Sequence, residues 1–192
     1  MTRILCVDDD QALNECIREL LDDLGYEARG VLSGADCLYI LESQSFQPDV
    51  ILLDIMMEPM DGWETLKGIR GLPASARTPV VMVTGKIPTA EELNEFVSLI
   101  NGYLVKPFAL QYLGKEIDHV IKCVRKKDEL MERARTVIGD EATLNEFCRL
   151  QCSVPTLERL SINVGKDLID QVALARDRRR LDELKQRLLH KP

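Results

Sequence analysis

The sequence has little of what marks membrane, secreted or metal-thiolate proteins. In its 192 residues no apolar run approaches the roughly eighteen needed for a membrane helix. The start, MTRILCVDDD, turns acidic at Asp8 and leaves no room for the apolar core of a secretion signal. None of the six cysteines forms a Cys-x-x-Cys pair, and both histidines are remote in sequence from Cys148 and Cys152. We therefore expect a cytoplasmic protein without a membrane span, whose cysteines are buried thiols.

Aromatic residues are also scarce, at 5%, whereas 45% of the chain is hydrophobic and 30% is charged. This balance is typical of a folded, helix-rich protein. Residues 1–124 contain 10 lysine and arginine residues against 20 aspartate and glutamate residues, a net charge of −10. Residues 125–192 contain 15 against 12, a net charge of +3. The split predicts two units with different roles, and the interspersed acidic residues of the second disfavour DNA binding.

Short apolar runs alternate with amphipathic segments over the first 125 residues. The runs are Arg3–Val7, Glu27–Leu32, Val50–Leu53, Val80–Val83 and Tyr103–Val105. Apolar residues at 3–4 spacing predict a helix after each run, the fourth spanning Thr89–Ile100 with Thr89 as its N-cap. Continuous apolar strands of this kind indicate a parallel sheet covered by helices on both faces.

The remainder of the chain is predicted to be all-helical. Four segments show the helical spacing: Glu129–Ile138, Glu141–Cys152, Thr156–Val164 and Lys166–Leu189. Breaks are predicted at Gly139–Asp140 and at Pro155. We therefore divide the chain into an α/β domain, residues 1–125, and a helical extension, residues 126–192, which we assign to dimerisation or to partner docking.

Polar residues stand at the carboxyl ends of four predicted strands: Asp8 and Asp9, Asp54, Thr84 and Lys106. In a parallel sheet these ends meet at one edge. Three carboxylates repel one another unless a cation lies among them, and an all-oxygen donor set favours Mg²⁺. A carboxylate can accept a phosphoryl group, and lysine and threonine can stabilise the charge on its oxygens. The pattern thus predicts a phosphoryl-transfer site.

Four segments resemble the receiver domains of two-component response regulators, of the chemotaxis type. They are ILCVDDD (4–10), VILLDIMMEPMDG (50–62), PVVMVTG (79–85) and YLVKPF (103–108), in matching order and at matching separations. The resemblance covers about two thirds of the chain. It implies a flavodoxin-like, doubly wound fold, with a five-stranded parallel sheet in the order 2-1-3-4-5 and five helices.

The resemblance also implies roles for individual residues. Asp54 is the expected phospho-acceptor, and Asp8, Asp9, Asp54 and the backbone carbonyl of Met56 are the expected Mg²⁺ ligands. The phosphoryl donor is expected to be a sensor histidine kinase or a histidine phosphotransfer protein. The chain is then a switch, which assists only its own phosphorylation and dephosphorylation, and not an enzyme.

Four further residues take part in the expected switch. Thr84 and Lys106 bind the phosphoryl group, and Tyr103 turns inward when Thr84 moves toward it. Gly85 replaces the alanine that is commoner in the family and leaves room beside that group. Pro107 stands where the family commonly has a cis peptide bond.

The loop after Asp54 departs from the family pattern. Glu58-Pro59 occupies the positions where Pro-Gly is usual, although the loop length is kept up to Asp61-Gly62. We expect an altered loop shape with intact chemistry. Met56 offers no polar group to orient an attacking water, which predicts a long phosphorylated lifetime.

Two other functions stay open from the sequence. A DNA-binding transcriptional regulator would need a basic recognition helix in the extension, but Cys152–Gly165 has only Arg159, and Asp177 interrupts the basic run from Arg176 to Arg180. The run is more typical of a solvated face or a homodimer contact. A haloacid-dehalogenase-like phosphatase would need Asp-x-Asp-x-Thr, but Ala12 stands at the threonine position.

Overall fold

The structure is a computed structural model that describes residues 1–108, 110–163 and 169–190. Its strands are β1 (Arg3–Val7), β2 (Glu27–Val31), β3 (Val50–Leu53), β4 (Val80–Thr84) and β5 (Gly102–Val105). All neighbours pair in parallel, and the sheet has the order β2-β1-β3-β4-β5. The predicted flavodoxin-like fold is therefore confirmed. β1, β3 and β4 are almost wholly buried, as their uninterrupted apolar sequences require.

Seven helices accompany the sheet in the described residues. They are α1 (Gln11–Asp23), α2 (Gly34–Glu42), α3 (Gly62–Gly71), α4 (Ala90–Phe96), α5 (Leu110–Val137), α6 (Glu141–Asn163) and α7 (Gln171–His190). The four N-cap side chains accept hydrogen bonds from N–H groups in the first turn of their helices; they are those of Asp10, Ser33, Asp61 and Thr89. These caps explain why the first four helices begin where they do. None of the described helices is long and apolar enough to span a membrane.

The chain divides into two compact units. The first contains Met1–Ile87 and Leu99–Ile121, and so holds the whole sheet. The second contains Pro88–Ser98, and with it α4, together with the chain from Lys122 onward. The functional division after residue 125 remains a prediction.

The second unit has regular helical packing. On α7 the buried leucines Leu174, Leu181 and Leu188 recur every seven residues, and Leu184 lies between the last two. On α6 the buried residues Phe147, Leu150 and Val154 are three and four residues apart. Such stripes are typical of helices that pack side by side. The extension is therefore a packed helical structure, as its sequence predicts.

Two predictions about helix boundaries were wrong, and two further boundaries fall outside the described chain. α4 ends at Phe96 and not at Ile100, because Asn101 already pairs with Val80 as the chain enters β5. α6 continues through Pro155, since buried residues on both sides of the proline hold the helix together. The predicted end at Val164 and start at Lys166 lie outside the described residues.

Candidate functional site

The expected site residues lie at the carboxyl edge of the sheet, within the first unit. Asp8 directly follows β1 and Asp54 directly follows β3, and the preceding residues, Val7 and Leu53, are register partners. Thr84 is the last residue of β4 and pairs in register with Val105, which precedes Lys106. Parallel pairing thus brings four strand ends together.

Lys106 bridges the two buried carboxylates. Its Nζ donates to Asp8 Oδ2 at 2.5 Å and to Asp54 Oδ2 at 2.8 Å. Asp8 and Asp54 are only 5% and 6% exposed. Carboxylates so deeply buried require a compensating charge or donors, and the ammonium supplies the charge.

The two carboxyls differ in how many donors they accept from. Burial raises the pKa of Asp8, and the hydrogen bonds from Lys106 and from the Asp10 N–H only partly offset it. Burial acts on Asp54 in the same direction, but hydrogen bonds from Lys106, Thr84 and the Met56 N–H outweigh it and hold the pKa of Asp54 below its usual value. Burial would lower the pKa of Lys106, yet its hydrogen bonds to both carboxylates raise it. Asp54 is therefore the better stabilised carboxylate.

Hydrogen bonds connect Thr84 to Lys86 and Lys86 to Tyr103. Thr84 is fully buried and helps to hold the pKa of Asp54 below its usual value, and the Lys86 N–H donates to Thr84 Oγ1 at 3.3 Å. Tyr103 is 3% exposed, and its hydroxyl donates to the Lys86 carbonyl oxygen at 2.7 Å. In this structure Tyr103 therefore faces inward, and its role as a switch residue stays a prediction.

The loop after β3 packs closely on Asp54. A Cβ at Gly62 would lie 2.1 Å from the Asp54 carbonyl oxygen and 2.7 Å from the Ile55 Cα, so only glycine fits. The Gly62 N–H donates to the Ile55 carbonyl oxygen, and Asp61 caps α3 through the Glu64 N–H. The loop and α3 thus hold the Asp54 backbone in place.

The structure also shows the positions at which the sequence differs from the usual family pattern, and the bond before Pro107. A Cβ at Gly85 would have no atom of the described residues within 4 Å, which agrees with open space at that position. The peptide bond before Pro107 is cis, as expected, and so is the Glu58–Pro59 bond. Met56 is 62% exposed, so its side chain points away from the core.

The donor set fits Mg²⁺ by its chemistry. Asp8 and Asp54 present carboxylate oxygens at one point, and the other expected donors, Asp9 and the Met56 carbonyl, are also oxygens. Asp9 is exposed and directly follows Asp8. Among the described residues, however, no three acidic, histidine or cysteine side chains converge into a ready-made metal cage.

Sequence reasoning missed Asn14. It lies on the buried face of α1 with Ile17 and Leu21, and its side-chain amide nitrogen is within hydrogen-bonding distance of three main-chain carbonyl oxygens around the ends of β1 and β2. The signal was present, because a polar residue within an apolar helical stripe must find partners. The apolar spacing by itself predicts only the neighbouring core residues of the same helix.

Comparison with known proteins gives a family match. A family model described as the response regulator receiver domain matches residues 4–118. The transcriptional regulatory protein HprR of Escherichia coli is 29% identical over 167 residues, which cover 87% of this chain and 64% of HprR. The response regulator MprA of Mycobacterium tuberculosis is 31% identical over 126 residues, 66% of this chain and 53% of MprA. The chain thus spans less than two thirds of the length of these relatives.

Solved structures show the same similarity for the α/β part. The N-terminal domain of a response regulator receiver protein from Methanoculleus marisnigri is 43% identical, with a TM-score of 0.53, over 62% of this chain and 96% of that one. The chemotaxis protein CheY4 of Vibrio cholerae is 31% identical, with a TM-score of 0.57, over 62% of this chain and 98% of its own.

Proposed function

The chain belongs to the response regulator receiver domain family, and on that premise we propose that it is a phospho-acceptor switch with Asp54 as the acceptor. The observation that supports this most is the bridge from Lys106 to Asp8 and Asp54. It places a cation and two carboxylates where a phosphoryl group can be bound and its charge neutralised. The proposed donor is a phosphohistidine of a sensor histidine kinase or of a histidine phosphotransfer protein.

In the proposed transfer, an Asp54 carboxylate oxygen attacks phosphorus in line with the leaving imidazole nitrogen. A P–O bond forms as the P–N bond breaks, and the leaving imidazole nitrogen takes a proton from solvent water. The Lys106 ammonium and the Thr84 hydroxyl stabilise the phosphoryl oxygens. Asp8, Asp9, Asp54 and the Met56 carbonyl would hold Mg²⁺, which would supply further charge neutralisation.

A phosphorylation assay on the full chain tests this function. A small phosphodonor such as acetyl phosphate with Mg²⁺ should phosphorylate the wild-type chain, as measured by mobility on phosphate-affinity gels. The Asp54→Asn variant should show no shift. Asp36→Asn, a carboxylate replaced in the first turn of α2, is the matched control and should behave as wild type. Equal phosphorylation of wild type and Asp54→Asn would overturn the assignment.

We further propose that the output is read through protein contacts of residues 126–192. The second unit includes α4, which follows the Thr84–Lys86 segment directly in sequence. Two α7 arginines are engaged by α6 carboxylates: Arg178 pairs with Glu158, and Arg180 pairs with Glu146 at 2.9 Å. Arginines held in this way are less available for DNA phosphates. The proposed partner is a second copy of this chain or another signalling protein, and the proposed location is the cytoplasm.

Transcriptional regulation is the second candidate, because the similarity to HprR extends over 167 residues. A mobility-shift assay with genomic fragments separates the two functions. Salt-sensitive, sequence-selective retention by the phosphorylated chain would favour DNA binding. A phosphorylation-dependent change in mass by light scattering, without retention, would favour the homodimer.

A further inference from the structure

Asn14 is a buried polar residue whose position calls for an explanation. It is 3% exposed, on the same face of α1 as Ile17 and Leu21. A buried carboxamide is costly unless its hydrogen-bonding groups find partners. Leucine or isoleucine at this position would continue the apolar face. The contacts of the amide therefore indicate why asparagine is present.

The amide nitrogen of Asn14 contacts the ends of two strands. Its Nδ2 lies 2.8 Å from the carbonyl oxygen of Val31, 3.2 Å from that of Asp8 and 3.4 Å from that of Cys6, so its two N–H groups are shared among three acceptors. The Asp8 N–H also donates to the Val31 carbonyl oxygen, at 3.2 Å. Asn14 therefore joins β1 to β2 where their regular pairing ends. One of its contacts is with the main-chain carbonyl oxygen of Asp8.

Gly30 makes room for this side chain. A Cβ at Gly30 would lie 2.1 Å from Asn14 Oδ1 and 3.1 Å from Asn14 Cγ, and the three atoms nearest to it all belong to Asn14. Glycine inside a strand is unfavourable by itself and often marks a close approach. Asn14 and Gly30 are therefore a complementary pair.

The same side chain forms part of the floor beneath the site. A cavity of about 10 Å³ is lined by Asp8, Asp54 and Asn14 together with apolar side chains. A space of this size holds at most one water molecule. The two carboxylates consequently rest on a closely packed support, of which Asn14 is a polar member.

We infer that Asn14 is a positioning residue, which fixes the Asp8 backbone so that its carboxylate is held beside Asp54 for Mg²⁺. The inference rests on the proposed function of the site. Residues that orient metal ligands without touching the metal commonly change metal affinity about 10- to 100-fold when they are replaced. Gly30 takes part only by giving Asn14 its space.

The test is a Mg²⁺ titration of the full chain by isothermal calorimetry, combined with phosphorylation by acetyl phosphate. Asn14→Leu keeps the branched heavy-atom skeleton of the side chain and loses the hydrogen bonds. We expect its dissociation constant for Mg²⁺ to rise about tenfold. The phosphorylation rate should fall at low Mg²⁺ and recover most of its wild-type value at saturating Mg²⁺. Leu21→Val, on the same face of α1, is the control for a loss of packing and should lower the unfolding midpoint without changing Mg²⁺ affinity.

A double-mutant cycle keeps the test decisive if Asn14→Leu folds poorly. Gly30→Ala should weaken Mg²⁺ binding in the wild-type background and have little effect in an Asn14→Ala background, where the atoms it would strike are gone. Wild-type Mg²⁺ affinity in all Asn14 and Gly30 variants would overturn the inference and leave the proposed function standing. A wild-type chain that takes up neither Mg²⁺ nor a phosphoryl group would overturn both.

Discussion

Tyr103 and Lys86 are joined by a hydrogen bond of 2.7 Å from the tyrosine hydroxyl to the lysine main-chain carbonyl oxygen. The N–H of the same lysine donates to Thr84 Oγ1, so its backbone is held from two directions. One of these contacts is with Thr84 at the end of β4 and the other is with Tyr103 in β5. Lys86 therefore connects two residues of the proposed phosphorylation site.

Removal of the Tyr103 hydroxyl should loosen the segment around Lys86. We expect Tyr103→Phe to lower the free energy of unfolding by about 0.5–1.5 kcal/mol, the usual net contribution of a hydrogen bond. Amide hydrogen exchange over residues 86–98 should become faster. Tyr26→Phe is the matched control, because it removes a hydroxyl bonded to Asp118 at 2.8 Å and should leave residues 86–98 unchanged. Equal exchange in both variants would count against the link.

Asp8 and Asp54 should affect stability with opposite signs, although both contact Lys106. The pKa of Asp54 is lowered from 3.8, so its contribution is present above pH 3.8 and is lost as the pH falls through the folded pKa. The pKa of Asp8 is raised from 3.8, so its contribution is present below pH 3.8 and is lost as the pH rises through the folded pKa.

At pH 7, without Mg²⁺, we therefore expect Asp54→Asn to destabilise the chain and Asp8→Asn to stabilise it, each by roughly 1 kcal/mol. Urea unfolding in the presence of a chelator measures both effects. The two differences from wild type should shrink as the pH approaches the range below 4. A loss of stability in both variants at pH 7 would contradict the assignment of the better stabilised carboxylate.

Two glycines near the acceptor should tolerate alanine very differently. At Gly62 the new Cβ would strike backbone atoms of Asp54 and Ile55, which cannot move aside, and we expect a loss of about 1–3 kcal/mol. At Gly85 the space is open, and we expect a change within about 0.5 kcal/mol. Thermal unfolding of the two variants gives the comparison. A tolerated Gly62→Ala would mean that the loop is not packed against Asp54.

Met56 should control how long the phosphoryl group persists. Its side chain is exposed and apolar beside Asp54, so it cannot orient a water for attack. We expect Met56→Asn to speed the decay of the phosphorylated chain by about tenfold, equivalent to about 1.4 kcal/mol of transition-state stabilisation. Tyr39→Asn, which replaces another large exposed side chain, lies on α2 and is the control. An unchanged decay rate in Met56→Asn would defeat the idea.

The α/β part was largely predictable because its signals are local. The apolar strands coincide with the observed ones within a residue or two, and the cap at Thr89 lies where the sequence predicts it. The expected site residues followed from the strand ends. Five parallel strands leave few ways to arrange such ends.

The rest depends on contacts between distant residues, which a single sequence does not display. Pro155 predicts a break when it is considered alone, but packing along α6 overrides it. The pairing of Arg180 with Glu146 spans 34 residues. It shows that part of the basic run from Arg176 to Arg180 is bound to an acidic side chain of α6. The role of Asn14 depends on Gly30 and on the ends of β1 and β2.

The grouping of α4 with the C-terminal helices bears on how this protein can be recombined. A domain that ends at one point in the sequence can be exchanged by a single crossover. Here residues 88–98 belong to one unit while the flanking strands β4 and β5 belong to the other. A chimera joined near residue 125 would therefore combine a foreign extension with a native α4. A functional transplant of the extension should require two exchanged segments, of which the shorter lies inside the receiver sequence.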